Sequence, residues 1–352
     1  MTVLRRRATI DRKIYTGKSA MAKSISAGTR RLSVLFTCIG RRVSLLGSFR
    51  RAGRQLKINL SLLGTDTSVL SSALQLCDKG FLVKPTEHAD YIKQLLSIVK
   101  ANRVKLLVPT VDLDLKVLSR NKMKFAAMGC RVLISNPEVI DICQDKRKTY
   151  RFLVKNGFDT PVTISIKSAL SKRKLNWPCF LKPWDGYASR GNAVVNSRRE
   201  LLLFGKRIPN AICQEFVKGL EYTCDVYVDF DMKVRCVVPR KRIEVRAGEV
   251  SKAQIVKNHR IISKGVKLVE MLGAGPGVIT VQCFLQQNGN VKFSEINPRF
   301  GGGAPLAIKA GANFPRWILQ ESLGEKPRIK LNGFKDRLIM LRYDSEVWLK
   351  DG

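Results

Sequence analysis

The sequence predicts an α/β protein in which a parallel sheet is followed by a more β-rich part, and three observations carry that prediction. From residue 32 to residue 109, short apolar strand-like runs alternate with helix-like segments, the pattern of a parallel sheet with crossover helices. Residues 278–284, a turn at 287–290 and a return through 291–293 read as a β-hairpin. With 352 residues, 45% of them hydrophobic, the chain can form two or three units with a substantial core.

The first part resolves into elements by local pattern. Strands are read at 32–38, 58–63, 80–83 and 104–109, and helices near 41–52, 68–77 and 90–100. The first turn, Thr37-Cys38-Ile39-Gly40-Arg41-Arg42, contains one glycine, so the G-x-G-x-x-G dinucleotide fingerprint is absent. A nicotinamide or flavin enzyme is therefore disfavoured, and Asp66, after the second strand, is read as a turn residue rather than a ribose ligand.

A second unit opens near Asp145, read as the N-cap of a helix that runs to Asn156 and stops at Gly157. Residues 179–183 (CFLKP) form a strand that reads as buried yet ends on Lys182. The next segment, 184–191 (WDGYASRG), holds two glycines, a serine and an arginine between strands, which suits backbone amides folded over phosphates. Acids sit on strand patterns at 212–217 and 221–226, and the hairpin sets Gln282 beside Glu295 on neighbouring strands. It leads into 294–303 (SEINPRFGGG), where Glu295, Asn297 and Arg299 occupy alternate positions and share one face of a strand end. A carboxylate and an amide oxygen suit a hard cation such as magnesium, and a guanidinium suits a phosphoryl or acyl oxyanion.

Composition excludes several classes. Nine scattered cysteines, no C-x-x-C pair and two histidines disfavour a zinc site and fit a reducing, cytoplasmic setting. No apolar run approaches the roughly 18 residues of a membrane span, so no membrane partner is expected. The net charge is +36; residues 1–31, with nine basic residues and one acid, leave +28 for the rest. Such a surface favours anionic partners. Without an RNP-type aromatic run, a zinc finger or a basic heptad region, specific nucleic-acid readout is not expected. Residues 1–30 read as a basic, disordered leader, either a transit peptide or an untranslated leader with Met21 as the start.

In this order and spacing the pieces resemble an ATP-grasp enzyme, in particular one ATP-grasp unit of the carbamoyl-phosphate synthase large chain, over about residues 31–320. The resemblance implies a Rossmann-like pre-ATP-grasp domain at 31–140. After it come an α+β ATP-grasp part with a small subdomain at 141–210 and a large one at 211–330, then a C-terminal extension at 331–352. It implies ATP and magnesium, or manganese, as cofactors. Lys146 and Lys182 fall on the nucleotide phosphates, and Gly186, Ser189 and Gly191 in a phosphate-covering loop. Glu215 and Val217 match the adenine hinge and Glu221 the ribose acid. Gln282, Glu295 and Asn297 match the metal ligands, Gln282 standing in place of an acid, and Arg299, with Lys182, acts on the transferring phosphoryl group. Residues 239–248 (PRKRIEVRAG) lie where the family closes its site, which makes Arg242 and Arg246 candidates for phosphate or substrate contacts; a solvated basic strand is the alternative.

The synthase large chain has two such units and this chain one, so carbamoyl phosphate is not the expected product. Similarity to stand-alone relatives that join two amino acids implies a carboxylate-amine, or carboxylate-thiol, ligase. A substrate carboxylate would attack the γ phosphate of ATP, and an amine would then displace phosphate from the acyl phosphate. Arg41 and Arg42 are candidates to hold the carboxylate, Asp112 and Asp114 the amine. A kinase that stops at a phosphorylated product stays open, as does a non-catalytic basic scaffold for nucleotide, RNA or an acidic partner. A two-fold homodimer is the base-rate expectation.

Overall fold

The computed structural model describes residues 30–186, 191–246 and 248–350, so the leader at 1–29 and Ser189 lie outside the described residues. The chain divides into two compact units, the first holding residues up to 110 with 121–132 and 343 onward, the second 111–120 with 133–342.

In chain order the first elements are β1 (Arg31–Thr37), α1 (Val43–Gln55), β2 (Asn59–Asp66), α2 (Ser72–Gln75), β3 (Lys79–Leu82), α3 (Tyr91–Asn102), β4 (Leu106–Pro109), α4 (Leu115–Ala126) and β5 (Arg131–Val132). The five strands form one sheet in the order β3-β2-β1-β4-β5, with every pair parallel. This is the crossover architecture that the alternation predicts. The central strand β1 buries Val34, Leu35 and Phe36 completely, and Phe36 meets Phe49 of α1 edge to face at 5.0 Å. Asp66, read from the sequence as a turn residue after the second strand, is the last residue of β2, and its carboxylate accepts from the Gly40 and Thr67 backbone N–H groups at 2.8 and 2.7 Å. The helix expected over 68–77 is confined to α2. The Ser68 hydroxyl accepts from the Leu70 N–H, and the Ser71 hydroxyl donates to the Gly40 carbonyl. These local bonds compete with the helical ladder.

The second unit continues with α5 (Pro137–Gln144), α6 (Lys146–Lys155), β6 (Thr163–Ser165), α7 (Ile166–Ser171), β7 (Cys179–Pro183), β8 (Ala193–Val195), α8 (Arg198–Arg207) and β9 (Ala211–Glu215). Its four strands pair antiparallel in the order β6-β9-β7-β8, over a core of Ala169, Leu181, Val195, Leu201 and Cys213. Strand β9 thus pairs within this smaller sheet. Then come β10 (Leu220–Val228), β11 (Val234–Arg246), β12 (Glu249–Ile255), α9 (His259–Leu272), β13 (Gly277–Leu285), β14 (Val291–Asn297), α10 (Ala304–Lys309), α11 (Phe314–Ser322) and β15 (Ile339–Leu341). These six strands form an antiparallel sheet ordered β14-β13-β10-β11-β12-β15, so residues 339–341 belong to the sheet.

Register sorts the side chains of this sheet by chemistry. Cys224 pairs with Val281 and Pro239, and Val226 with Ile279 and Val237, which makes one face apolar. Helix α9 packs on it through Ile261, Gly265, Leu268 and Leu272, and a Cβ at Gly265 would stand 3.2 Å from Val237, so glycine permits the close approach. On the opposite face the same registers align Glu221, Thr223 and Asp225 of β10 with Phe284, Gln282 and Thr280 of β13. Among the described residues no helix is long and apolar enough to cross a membrane.

Candidate active site

Two β-bulges set up the polar face. In the β13–β14 ladder the register shifts between Gln282 and Cys283, so Cys283 pairs with Phe293 but Gln282 pairs with Glu295. Were Ser294 paired in an unbroken ladder, Glu295 would share the face of buried Val291 and Phe293; with Ser294 bulged, Ile296 takes the apolar side and Glu295 and Asn297 turn to the polar one. The expected neighbourhood of Gln282 and Glu295 is present. A second irregularity follows Arg242 in the β11–β12 ladder.

Lys182, at the end of β7, is the one buried lysine among the described residues, 6% exposed. Burial pushes its pKa down from 10.5 to about 8; Glu295 opposes this, Lys146 adds to it, and Glu221 opposes it. Lys146 is the first residue of α6. Its backbone N–H donates to the Trp184 carbonyl and its Nζ to the Gly186 carbonyl, at 3.0 and 2.5 Å. Asp145 caps the helix, as predicted, by accepting from the Arg147 and Lys148 N–H groups. It also pairs with the Arg147 guanidinium, which lies 3.8 Å over the Trp184 ring. The cap, the stacked arginine and the lysine together hold the start of the glycine-containing loop. Gly191, at the other end of the undescribed stretch 187–190, has φ +72°, a conformation that favours glycine.

Glu295 sits among these cations. Burial raises its pKa, but Lys146, Lys182, the Asn297 amide and Arg299 outweigh burial and hold the carboxyl below its ordinary value. The Asn297 amide donates to Glu295 Oε1 at 3.1 Å. Arg299 lies near Glu295, but its guanidinium forms a two-point ion pair with Asp112, Nε to Oδ1 at 3.0 Å and Nη2 to Oδ2. Burial lowers the Arg299 pKa, and Asp112, with Glu295 and Glu249, more than restores it. Asp112, placed with an amine in the sequence reading, is thus the partner of Arg299, and Gln144 holds its backbone carbonyl at 2.6 Å.

Glu221 is also in this cluster. Burial raises its pKa more than Arg242 lowers it, and Glu295 adds to the rise. Arg242 Nη1 lies 2.6 Å from Glu221 Oε1 and 3.3 Å from Gln282 Oε1. The solvated-strand alternative for 239–248 fails at Arg240 and Arg242. Arg240 is buried and bonded through Nε and Nη2 to buried Asp225 at 2.6 and 3.0 Å. Its guanidinium packs against the glycine run, where a Cβ at Gly303 would stand 2.2 Å from Nη1. Arg246 is exposed at the end of β11.

Not every predicted residue joins the cluster. The Glu215 carboxylate is held by Lys292 Nζ at 2.6 and 2.8 Å and by the Val162 N–H. Val217 is buried beyond the end of β9. Arg41 and Arg42 sit in the β1–α1 turn of the first unit, and Asp114 is fully buried. Sequence reading missed Asp112 with Arg299 and Asp225 with Arg240. The only sequence sign of the latter was the i, i+2 spacing of Arg240 and Arg242, which puts both on one strand face.

The donors present fit a hard divalent cation. Glu295 and Asn297 offer oxygens side by side, with Gln282 next to them in register. Among the described residues no group of three or more His, Cys, Asp or Glu could hold a metal.

A parallel-sheet unit followed by two antiparallel sheets, with lysines facing a Glu-x-Asn strand end, is the ATP-grasp arrangement. Residues 143–303 match the family described as ATP-grasp domain, and residues 34–133 match the PylC-like, N-terminal domain. The chain thus carries an ATP-grasp domain preceded by a PylC-like N-terminal domain. The carbamoyl-phosphate synthase of Methanobrevibacter smithii is 28% identical over 158 residues, 44% of this chain and 42% of that protein, so the match spans less than half of either. Among solved structures, the biotin carboxylase domain of Hydrogenobacter thermophilus 2-oxoglutarate carboxylase, in complex with MgADP, ADP and bicarbonate, superposes with a TM-score of 0.69 at 13% identity, over 87% of this chain and 73% of that one. The L-amino acid ligase from Bacillus licheniformis gives 0.63 at 17% identity, over 84% and 75%. N5-carboxyaminoimidazole synthetase from Staphylococcus aureus, complexed with ADP, gives 0.66 at 15% identity, over 86% and 80%. At these identities the likeness is one of fold.

Proposed function

We propose that this protein is an ATP- and magnesium-dependent ligase that couples a carboxylate to an amine, or to a thiol, through an acyl phosphate. The observation that carries the reading is the convergence of Lys146, Lys182, Glu221, Glu295 and Asn297 on one polar face, with Arg299 at its end. The similar proteins, which include an amino acid ligase and an ADP-bound synthetase, support it.

Phosphoryl transfer depends on positioning and charge neutralisation more than on acid-base groups. Lys146 and Lys182 would hold the phosphates, and the carbonyl of Gly186 keeps the Lys146 amine in place beforehand. Glu295 and Asn297 would hold magnesium, which supplies neutralisation of the phosphate oxygens when bound, while Gln282 stands beside them with its oxygen engaged by Arg242. Arg299, oriented by Asp112, would face the oxygen of the phosphoryl group in transit. Glu221, on the same face, would accept from the ribose hydroxyls beside its bond to Arg242.

The test is ADP release with magnesium and ATP across a panel of amino acids and small acids, alone and with an amine added. A ligase needs both substrates for sustained turnover, and Glu295→Ala should reduce the rate at least about a hundredfold, the scale of removing one group that stabilises transition-state charge. A stable phosphorylated product formed with no amine would assign a kinase instead. Unaltered turnover in Glu295→Ala would remove the metal assignment.

A further inference from the structure

We propose that Arg242 takes the place of a second divalent cation, so that nucleotide binds to this chain with a single metal ion. The inference rests on the polar face being a nucleotide site. The Arg242 side chain is 10% exposed and inserted between Glu221 and Gln282, its Nη1 at 2.6 and 3.3 Å from their oxygens. A mobile surface arginine would not be placed this way. Gln282 keeps its register with Thr223 on one side of β10, and Arg242 follows the Tyr222–Lys241 pair on the other, so the two side chains flank Glu221 and Thr223 on the same face of the sheet.

The oxygen donors are accounted for one by one. Glu221 is engaged by Arg242, Asp112 by Arg299, and Gln282 contributes a neutral carboxamide whose oxygen already accepts from a cation. Glu295 is the remaining carboxylate of the cluster, and it has Asn297 at its side. One carboxylate with an amide oxygen is a sufficient protein share for one magnesium that takes its other ligands from phosphates and water. A second ion on the Gln282 oxygen, at a bond length of about 2.1 Å, would face the guanidinium across the same atom with like charge.

The guanidinium can do part of what that ion would do. It brings a permanent positive charge and several N–H donors in a rigid plane suited to phosphate oxygens. Its Nε is buried and bonded to nothing among the described residues. A donor left over beside Gln282 and Glu221 is what an arriving phosphate or ribose oxygen would satisfy.

The experiment counts bound ions. Electron paramagnetic resonance of Mn2+, titrated into the purified full chain with a non-hydrolysable ATP analogue, should give one tightly held Mn2+ per bound nucleotide. Arg242→Ala should weaken analogue binding about tenfold or more, the cost of losing a charge-assisted hydrogen bond, and make it depend on the square of Mn2+ concentration. Arg242→Lys, which keeps the charge, should recover part of the affinity with the count still one. Arg242→Ala combined with Gln282→Glu should hold two ions. Circular dichroism checks that the variants fold, and the wild-type count needs no variant. Two tight Mn2+ per nucleotide in the wild type would overturn the proposal and leave the ligase reading standing. Undiminished affinity in a folded Arg242→Ala would overturn it in the same way. A chain that binds neither the analogue nor Mn2+ would overturn both.

Discussion

Lys182 carries a charge that its surroundings disfavour, and that gives it a pH signature. Its pKa is about 8 in the folded chain against 10.5 for a free lysine. Between those values the unfolded chain binds more protons, so this residue makes stability rise with pH from about 8 to 10.5, while below 8 the full penalty persists. Lys182→Met should therefore stabilise the fold at pH 7 by up to about 3 kcal/mol, seen as a higher thermal midpoint, with the gain fading toward pH 10.5. The same variant should lose magnesium-nucleotide binding, a trade of function for stability. Phosphates arriving beside the amine raise its pKa again, so calorimetry near pH 8.5, in buffers of different ionisation heat, should detect proton uptake in the wild type and none in Lys182→Met. Arg240 responds in the opposite sense. Its pair with Asp225 is buried at both ends, 1% and 0% exposed, so Arg240→Ala leaves an uncompensated carboxylate and should cost about 3–5 kcal/mol in urea unfolding.

At the scale of elements, phase decides what each side chain meets. Glu295, Asn297 and Arg299 read from the sequence as an alternating set, and two of them do meet, but only because the bulge at Ser294 resets a strand that would otherwise turn Glu295 to the side of Phe293. A bulge has no composition of its own here, which is why the sequence did not announce it. Deleting Ser294 would leave Glu295 directly after Phe293, still opposite Gln282 and on the polar side, with Ile296 still on the apolar side, so nucleotide affinity measured by calorimetry should persist; its complete loss would mean that the bulge itself shapes the site. The α6 terminus was legible, because a cap is a local device. Asp145→Ala should cost about 1 kcal/mol from the lost cap bonds. Burial raises the Asp145 pKa, but its bonds to Arg147 and Lys148 bring it below the usual carboxylate range. The contribution is therefore present at neutral pH and lost as pH falls through that lowered value, and a thermal-melt series from pH 7 to pH 2 should show the wild type and variant converging.

Over the whole molecule, what sequence reveals depends on distance along the chain. Strand and helix alternation is a matter of neighbouring residues, and the parallel sheet was readable from it. The partners that define the site are separated by 15 residues for Arg240 and Asp225, 21 for Arg242 and Glu221, and 187 for Arg299 and Asp112, and nothing local links them. The net charge of +36 works at longer range still, through the field that meets an anion before any contact forms. A nucleotide should therefore associate quickly at low salt, and raising ionic strength should act mainly on that encounter, since the Debye length shrinks from about 30 Å at 0.01 M to 3 Å at 1 M. Contacts within the cluster lie at 2.5–3.3 Å, inside any screening length, so they should respond little. Stopped-flow measurement with a fluorescent ADP, from 0.01 to 0.5 M salt, should then find an association rate falling at least about tenfold and a dissociation rate that stays nearly level. The reverse pattern would mean that the surplus charge steers nothing to this face and serves some other anionic partner, with the affinity set by Lys146, Lys182 and the Glu295 cluster alone.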